Sequence, residues 1–264
     1  MRPLFNMIAA AVALAAATSP KSAEEPSLQV QHGQFVLTAS DGTRLPHSDI
    51  AGIEVVIRNP ANGGYRTRIN RVVPDPHAAE PMMLYDISFL NTATGRWEPL
   101  CNPGPYGMAL AVPVAGTWAR EGRFQPLDDG RFTFNCTSGA HVKCLRMGHA
   151  PWKTGAQGQS LAPVHQACTR MMRADYCGTG QPFTVAGRQL QVFGKGDATP
   201  EHLFGQFEAL WGENGAICLA RARVPGAFPL DLILRSCPRL EKSVSICNAD
   251  LLEINPAALL GNRS

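Results

Sequence analysis

The sequence predicts an α+β protein: a small antiparallel β-part, sandwich or barrel, followed by a disulfide-rich mixed α/β region. Three observations carry this. Residues 27–100 hold no cysteine and read as short strands separated by turns. Residues from Cys101 onward hold all eight cysteines. A helical repeat of apolar positions appears only in this second part, over residues 160–178.

The strands of the first part follow from β-branched runs and their punctuation. Gly52 to Arg58 is rich in Val and Ile, and Pro60-Ala61-Asn62-Gly63-Gly64 is a turn signal. Tyr65 to Asn70 alternates, so the two segments predict a hairpin with a loop of several residues. Asp41-Gly42 marks a turn between strands at 34–38 and 43–45. Leu84 to Leu90 alternates into another strand, Thr92 to Gly95 turns, and Trp97 opens the next. Strands at this spacing predict a small sandwich or barrel.

In the second part, Ser138 to Gly148 predicts a short helix containing Cys144 and stopped by Gly148. A longer helix is expected from an N-cap at Ser160, with Pro163 in the first turn and Gly178 past its end. Leu161, His165, Cys168 and Met172 share one face, while Arg170, Arg173 and Cys177 lie nearly opposite. Glu213-Asn214-Gly215 is a turn leading into a strand that carries Cys218. Residues 236–264 read as a cysteine loop and a short end helix. The expected organisation is 1–17, 27–100, 101–235 and 236–264.

The amino terminus predicts export. Arg2 precedes an apolar run from Met7 to Ala17, the length of a signal-peptide core, and Ala15-Ala16-Ala17 supplies the small residues of a cleavage site. Cleavage is expected after Ala17, with Ala23 as the alternative. No later segment is long enough to cross a membrane as a helix. The most apolar one, Met108 to Ala119, is broken by Pro113 and Gly116. The expected location is periplasmic or extracellular. A net charge of +3, spread along the chain, argues against a nucleic-acid binder.

In such a compartment eight thiols pair. Cys101, Cys136, Cys144, Cys168, Cys177, Cys218, Cys237 and Cys247 are spaced too widely for the short pairs of a structural zinc site. The expected bonds are Cys101–Cys136, Cys144–Cys168, Cys177–Cys218 and Cys237–Cys247. The second rests on two consecutive helices. The third rests on Cys177 pointing away from the helix pair, with Cys218 on its strand as its best partner. Cys101–Cys144 with Cys136–Cys168 is the main rival.

The stretch from Phe132 to Val224 resembles the ADYC domain family, named for the tetrapeptide Ala174-Asp175-Tyr176-Cys177. Phe134-Asn135-Cys136, Lys143-Cys144, Pro151-Trp152, His165-Gln166-Ala167-Cys168, Arg173 to Gly178, Trp211-Gly212 and Gly215 to Cys218 fall in the family's order. Asp41-Gly42-Thr43 and Trp97 with Pro99-Leu100-Cys101 match more loosely. The resemblance implies an exported bacterial protein and supplies no catalytic residue. At Gly148-His149-Ala150 the family pattern has an aromatic residue where His149 stands.

Enzyme signatures are absent: there is no HExxH, GxSxG or P-loop. Ser160, in Gly158-Gln159-Ser160-Leu161-Ala162, precedes a helix and reads as an N-cap, not a nucleophile. Asp128-Asp129-Gly130 lacks further oxygen ligands and reads as a turn. His165, near His141 and His149 in the cysteine-rich part, is expected to be a core histidine bonded to a backbone carbonyl. Its sharper reading is a metal ligand or acid–base group. Asp175 and Tyr176 stand at a helix C-terminus, where the dipole disfavours a carboxylate. Asp175 should therefore find a compensating partner in Arg173, His165 or a loop amide. Arg66, Arg68 and Arg71 form a basic strand, expected to be a solvated face, with an anionic envelope surface or polysaccharide as the sharper reading.

The functional expectation is a non-catalytic binding or structural module of the cell envelope or extracellular space, with no catalytic residue, metal or cofactor assigned. The alternative is an exported hydrolase or metal-dependent enzyme using His165 with Asp175. A His165 sealed in the core on a backbone partner favours the first. Convergence of His165 and Asp175 in an open cleft favours the second.

Overall fold

The structure is a computed structural model that describes residues 27–57, 64–104, 107–119, 122–197 and 205–264. The expected signal segment lies outside these residues, as does most of the loop at 60–64. The protein is α+β, and every sheet in it is antiparallel.

Its first layer is a hairpin of β1 (Ser27–Gln31) and β2 (Gln34–Thr38), extended by the short β3 (Arg44–Leu45). His32 and Gly33 form the two-residue turn with φ of 50° and 76°. Positive φ at both central residues gives the twist a tight hairpin needs. At the Asp41-Gly42 turn, Thr43 N–H donates to Asp41 Oδ1 at 2.8 Å, an Asx turn.

The second layer is a six-stranded sheet. β4 (Glu54–Ile57), β5 (Tyr65–Pro74), β6 (Met83–Asn91) and β7 (Arg96–Pro99) pair as the sequence pattern predicts. The sheet does not stop at residue 100. β8 (Leu110–Val114) pairs with β6. β9 (Gly116–Trp118) and β10 (Phe124–Pro126) then form a separate ribbon, after which β11 (Thr133–Cys136) pairs with β8. All five residues of β8 are buried. The Met108–Ala119 run is apolar because it forms the floor of a core. Phe35, Ile69, Tyr85 and Ile87 fill the space between the two layers, and Phe35 N–H donates to the Tyr85 hydroxyl at 2.9 Å.

Two helices stand against this sheet. α1 (Ala140–Arg146) packs Val142 and Leu145 onto it. Cys144 turns away and joins α2 (Ala162–Arg173). The amphipathic reading of α2 is too narrow: every residue from His165 to Met171 is buried, Arg170 included. α2 lies between α1 and a four-stranded sheet, so it has no solvent face over that stretch.

That second sheet runs β12 (Gln191–Gly194), β15 (Leu260–Arg263), β13 (Phe207–Gly212), β14 (Gly215–Leu219). The chain's last residues are thus an inner strand. α3 (Leu230–Ser236) and α4 (Leu251–Ile254) flank it. Ala209 and Trp211 face α2, whereas Leu210 and Cys218 face the opposite side.

This two-sidedness corrects the expected disulfides. Cys101–Cys136 and Cys144–Cys168 form as predicted, with Cα separations of 5.5 and 5.9 Å. The other two are Cys177–Cys237 and Cys218–Cys247. Cys177 sits on the α2 side of the sheet, where Cys237 at the end of α3 reaches it. Cys218 belongs to the far side with Leu252 and Ala258, so it cannot meet Cys177. Among the described residues no helix is long and apolar enough to cross a membrane.

Candidate functional site

His165, Asp175 and Tyr176 all lie on or just past α2, each at most 1% exposed. His165 is held near the start of the helix. Its Nδ1 sits 2.7 Å from the carbonyl oxygen of His149. A carbonyl only accepts, so Nδ1 carries the proton and Nε2 is left with a lone pair. Burial holds the imidazole down to about 4. His141 stacks nearby, ring centroids 5.9 Å apart, and rests on Trp118 at 4.0 Å. Burial, then the nearby charges of His165 and Arg173, hold His141 down to about 3. Among the described residues, His165 Nε2, His141 Nδ1, Trp118 Nε1 and Gln166 Nε2 are buried without a hydrogen-bond partner. Among the described residues no three His, Cys, Asp or Glu come together as a metal site. It is the backbone of His149, not its ring, that holds His165, and any residue at that position supplies a carbonyl.

At the other end, α2 stops earlier than Gly178. Ala174 adopts the left-handed conformation (φ 49°, ψ 41°), and Asp175 N–H returns to Arg170 O at 2.9 Å. An L-residue there costs about 1–2 kcal/mol. The bonds of the next residue offset this. Asp175 accepts from Arg170 Nη1 at 2.5 Å, from Gly180 N–H at 2.9 Å and from Thr179 N–H at 3.1 Å. The compensating partner exists, but it is Arg170 with two loop amides, not Arg173 or His165. Gly178 is needed for a close approach instead, because a Cβ there would run into the Asn214 carbonyl at the β13–β14 turn. Arg170 Nε donates to Glu213 O at 2.7 Å, clamping the same turn.

Tyr176 stacks on Trp211 at 5.3 Å. Its hydroxyl donates to Glu208 Oε1 at 3.0 Å and accepts from Arg223 N–H at 3.1 Å. Burial, with the Glu208 charge beside it, pushes the phenol well above its ordinary range. Glu208 is fully buried and paired with Arg223 at 2.8 Å. It also accepts from Asn262 Nδ2 at 2.9 Å, and Asn262 Oδ1 accepts from Trp211 Nε1 at 2.7 Å. Arg223 Nη2 donates on to Met171 O at 2.7 Å. Sequence reasoning missed this Glu208–Arg223 pair. Its one signal is an acid inside the apolar strand Phe207 to Trp211.

His165 and Asp175 do not converge. Ten positions along a helical path separate them by about 15 Å, and no bond or ring contact links them. Ser160 is not the expected N-cap: α2 begins one residue later with Leu161 in that position, and Ser160 Oγ accepts from Ala162 N–H at 3.2 Å in a local turn ahead of the helix. Asp129 closes its own turn through Arg131 N–H at 3.1 Å. On the basic strand, Arg66 pairs with Glu54 at 2.5 Å and Arg71 approaches Asp86 at 3.9 Å. Arg68 lies 4.6 Å over the Trp97 ring.

Three open concavities lie elsewhere among the described residues. Two clefts of about 480 and 500 Å³ share His32 and Trp152. A groove of about 710 Å³ lies beside Tyr65, Phe89, Phe132 and Phe134. None is lined by His165, Asp175 or Tyr176.

Fold and signature together define a class: an α+β protein framed by disulfides, whose signature tetrapeptide is a joint between a helix and a sheet. Its four residues supply a left-handed cap, a carboxylate clamp, a buried phenol and a disulfide. The chain belongs to the ADYC domain family, whose model matches residues 47–225. No curated protein and no solved structure matches the chain.

Proposed function

We propose that this chain is an exported, non-catalytic binding module of the periplasm or extracellular space. One observation supports this above the others: the residues that an acid–base or metal mechanism would need are consumed by the framework. His165 is sealed on a backbone carbonyl. Asp175 is saturated by a guanidinium and two amides. Tyr176 is locked between Glu208 and Arg223. General acids and bases must reach the proton they move, and none of these lines the clefts described above. Four disulfides suit an oxidising compartment, and the Met7–Ala17 run supports export.

The competing hydrolase reading gives a clear test. The oxidised mature protein is assayed against chromogenic esters, glycosides, phosphates and peptides, beside His165→Phe. No turnover that depends on His165 is expected. Turnover lost in a folded His165→Phe variant would overturn the proposal.

A further inference from the structure

The hairpin turn and the loop after α1 meet at Trp152, and that meeting makes a site. Trp152 packs beneath the turn: a Cβ on Gly33 would lie 3.1 Å from the indole carbons Cη2 and Cζ2. The adjacent His32 is exposed, its left-handed φ of 50° set by the tight hairpin turn. It stands at the lip of both clefts, and Trp152 lines both.

The first cleft, about 480 Å³, falls within the roughly 300–1,000 Å³ of small-ligand sites. Its polar groups are Glu80 and Lys153, which form an ion pair, with Gln34, Thr154 and His32. The pair is partly exposed, 54% for Glu80 and 38% for Lys153, so its heads remain available to a ligand. One acid and one base sum to no net charge. An anion would meet Glu80, a cation would meet Lys153, and a purely apolar molecule would strip water from both without replacing its bonds. The complement is an uncharged molecule rich in groups that both donate and accept, with one flat apolar face for the indole. A hexopyranose ring has those properties: C–H groups on a face, hydroxyls at the rim.

We propose that the Trp152–Glu80–Lys153 cleft binds a neutral saccharide. This names the ligand class of the binding module proposed above and rests on that reading. It is distinct from the Arg68–Trp97 face, whose cationic character suits anions.

The test is an NMR titration of the disulfide-intact mature protein with cellotetraose, maltotetraose and chitotetraose, and with tetragalacturonate as the anionic control. The four tryptophan indoles report separately. A saturable shift of the Trp152 indole with a neutral tetrasaccharide is expected. Glu80→Gln, a change on an exposed pair that leaves the fold intact, should weaken it about tenfold, the effect of losing one charge-assisted bond. Trp97→Phe should leave it unchanged. No shift at Trp152 with any neutral sugar, or an equal response to tetragalacturonate, would overturn the saccharide assignment and leave the non-catalytic reading standing. A Trp152 shift accompanied by cleavage of the sugar, seen by mass spectrometry, would uphold the site and overturn the non-catalytic reading.

Discussion

Acid should destabilise this protein through its buried imidazoles, His165 and His141 most strongly, before the carboxylates titrate. His165 is held down to about 4 and His141 to about 3, both chiefly by burial, against 6.5 when exposed. Below pH 6.5 the unfolded chain takes up protons that the folded one refuses, so stability falls as pH falls. Only about a unit or more above pH 6.5 are both states neutral, so that the histidines add no further pH dependence. Between pH 7 and 5 linkage gives a loss of about 2 kcal/mol for His165 and a similar amount for His141. Carboxylates with ordinary values near 4 contribute little in that window. The assay is urea unfolding at half-unit steps from pH 7.5 to 5. His141→Phe, which keeps a ring against Trp118, should remove no more than about half of the slope, with His165 and His149, also held down by burial, carrying the rest. A flat profile from pH 7 to 5, or an unchanged slope in His141→Phe, would refute the burial argument.

Other consequences follow from single contacts. Glu208→Ala leaves Arg223 charged and unpaired in the core and should cost about 3–5 kcal/mol by urea unfolding; a cost under 1 kcal/mol would show that the pair is solvated. Arg68→Ser removes a guanidinium stacked on Trp97 and should cost about 0.5–1 kcal/mol, more than an isolated surface arginine. Edman sequencing of the secreted protein should begin at Thr18, following cleavage after Ala17; a chain beginning at Met1 would contradict export by a cleaved signal.

Strands β2 and β4 to β7 are legible in the sequence because their residues are β-branched or alternate and are set off by turn residues such as Asp41-Gly42, whereas β1 with its His32-Gly33 turn, and β8 and β11 beyond residue 100, are not. The Cys144–Cys168 bond is legible because two helices in succession bring their inward faces together. The other half of the covalent framework is not. Cys177 and Cys218 look like partners until the second sheet places them on opposite faces, and that sheet depends on a strand with no local signal. Leu260-Gly261-Asn262-Arg263 has no β-branched or aromatic residue. Its pairing with β12 and β13, and the Asn262 bond to Trp211, make it a strand. The helix end is a similar case. Gly178 resembles a terminator, yet Ala174 ends α2 because Asp175 is anchored by Arg170 and two amides. The misplaced carboxylate is the visible symptom in sequence; its partner is set by the fold. The Trp152 cleft is illegible because its walls come from residues 32–34, 80–82 and 145–154, joined only by packing.

If the signature helix is framework and not a reaction centre, solvent does not reach His165 while the protein stays folded. Deuterium exchange at the imidazole carbon between the two nitrogens, followed by mass spectrometry on the folded, oxidised protein, reads that access residue by residue. His165 is 0% exposed, whereas His32 stands in solvent at its turn. His32 should therefore exchange readily. His165 should exchange only through opening of the fold, slower by orders of magnitude. Exchange at His165 as fast as at His32 under native conditions would contradict a sealed, structural histidine.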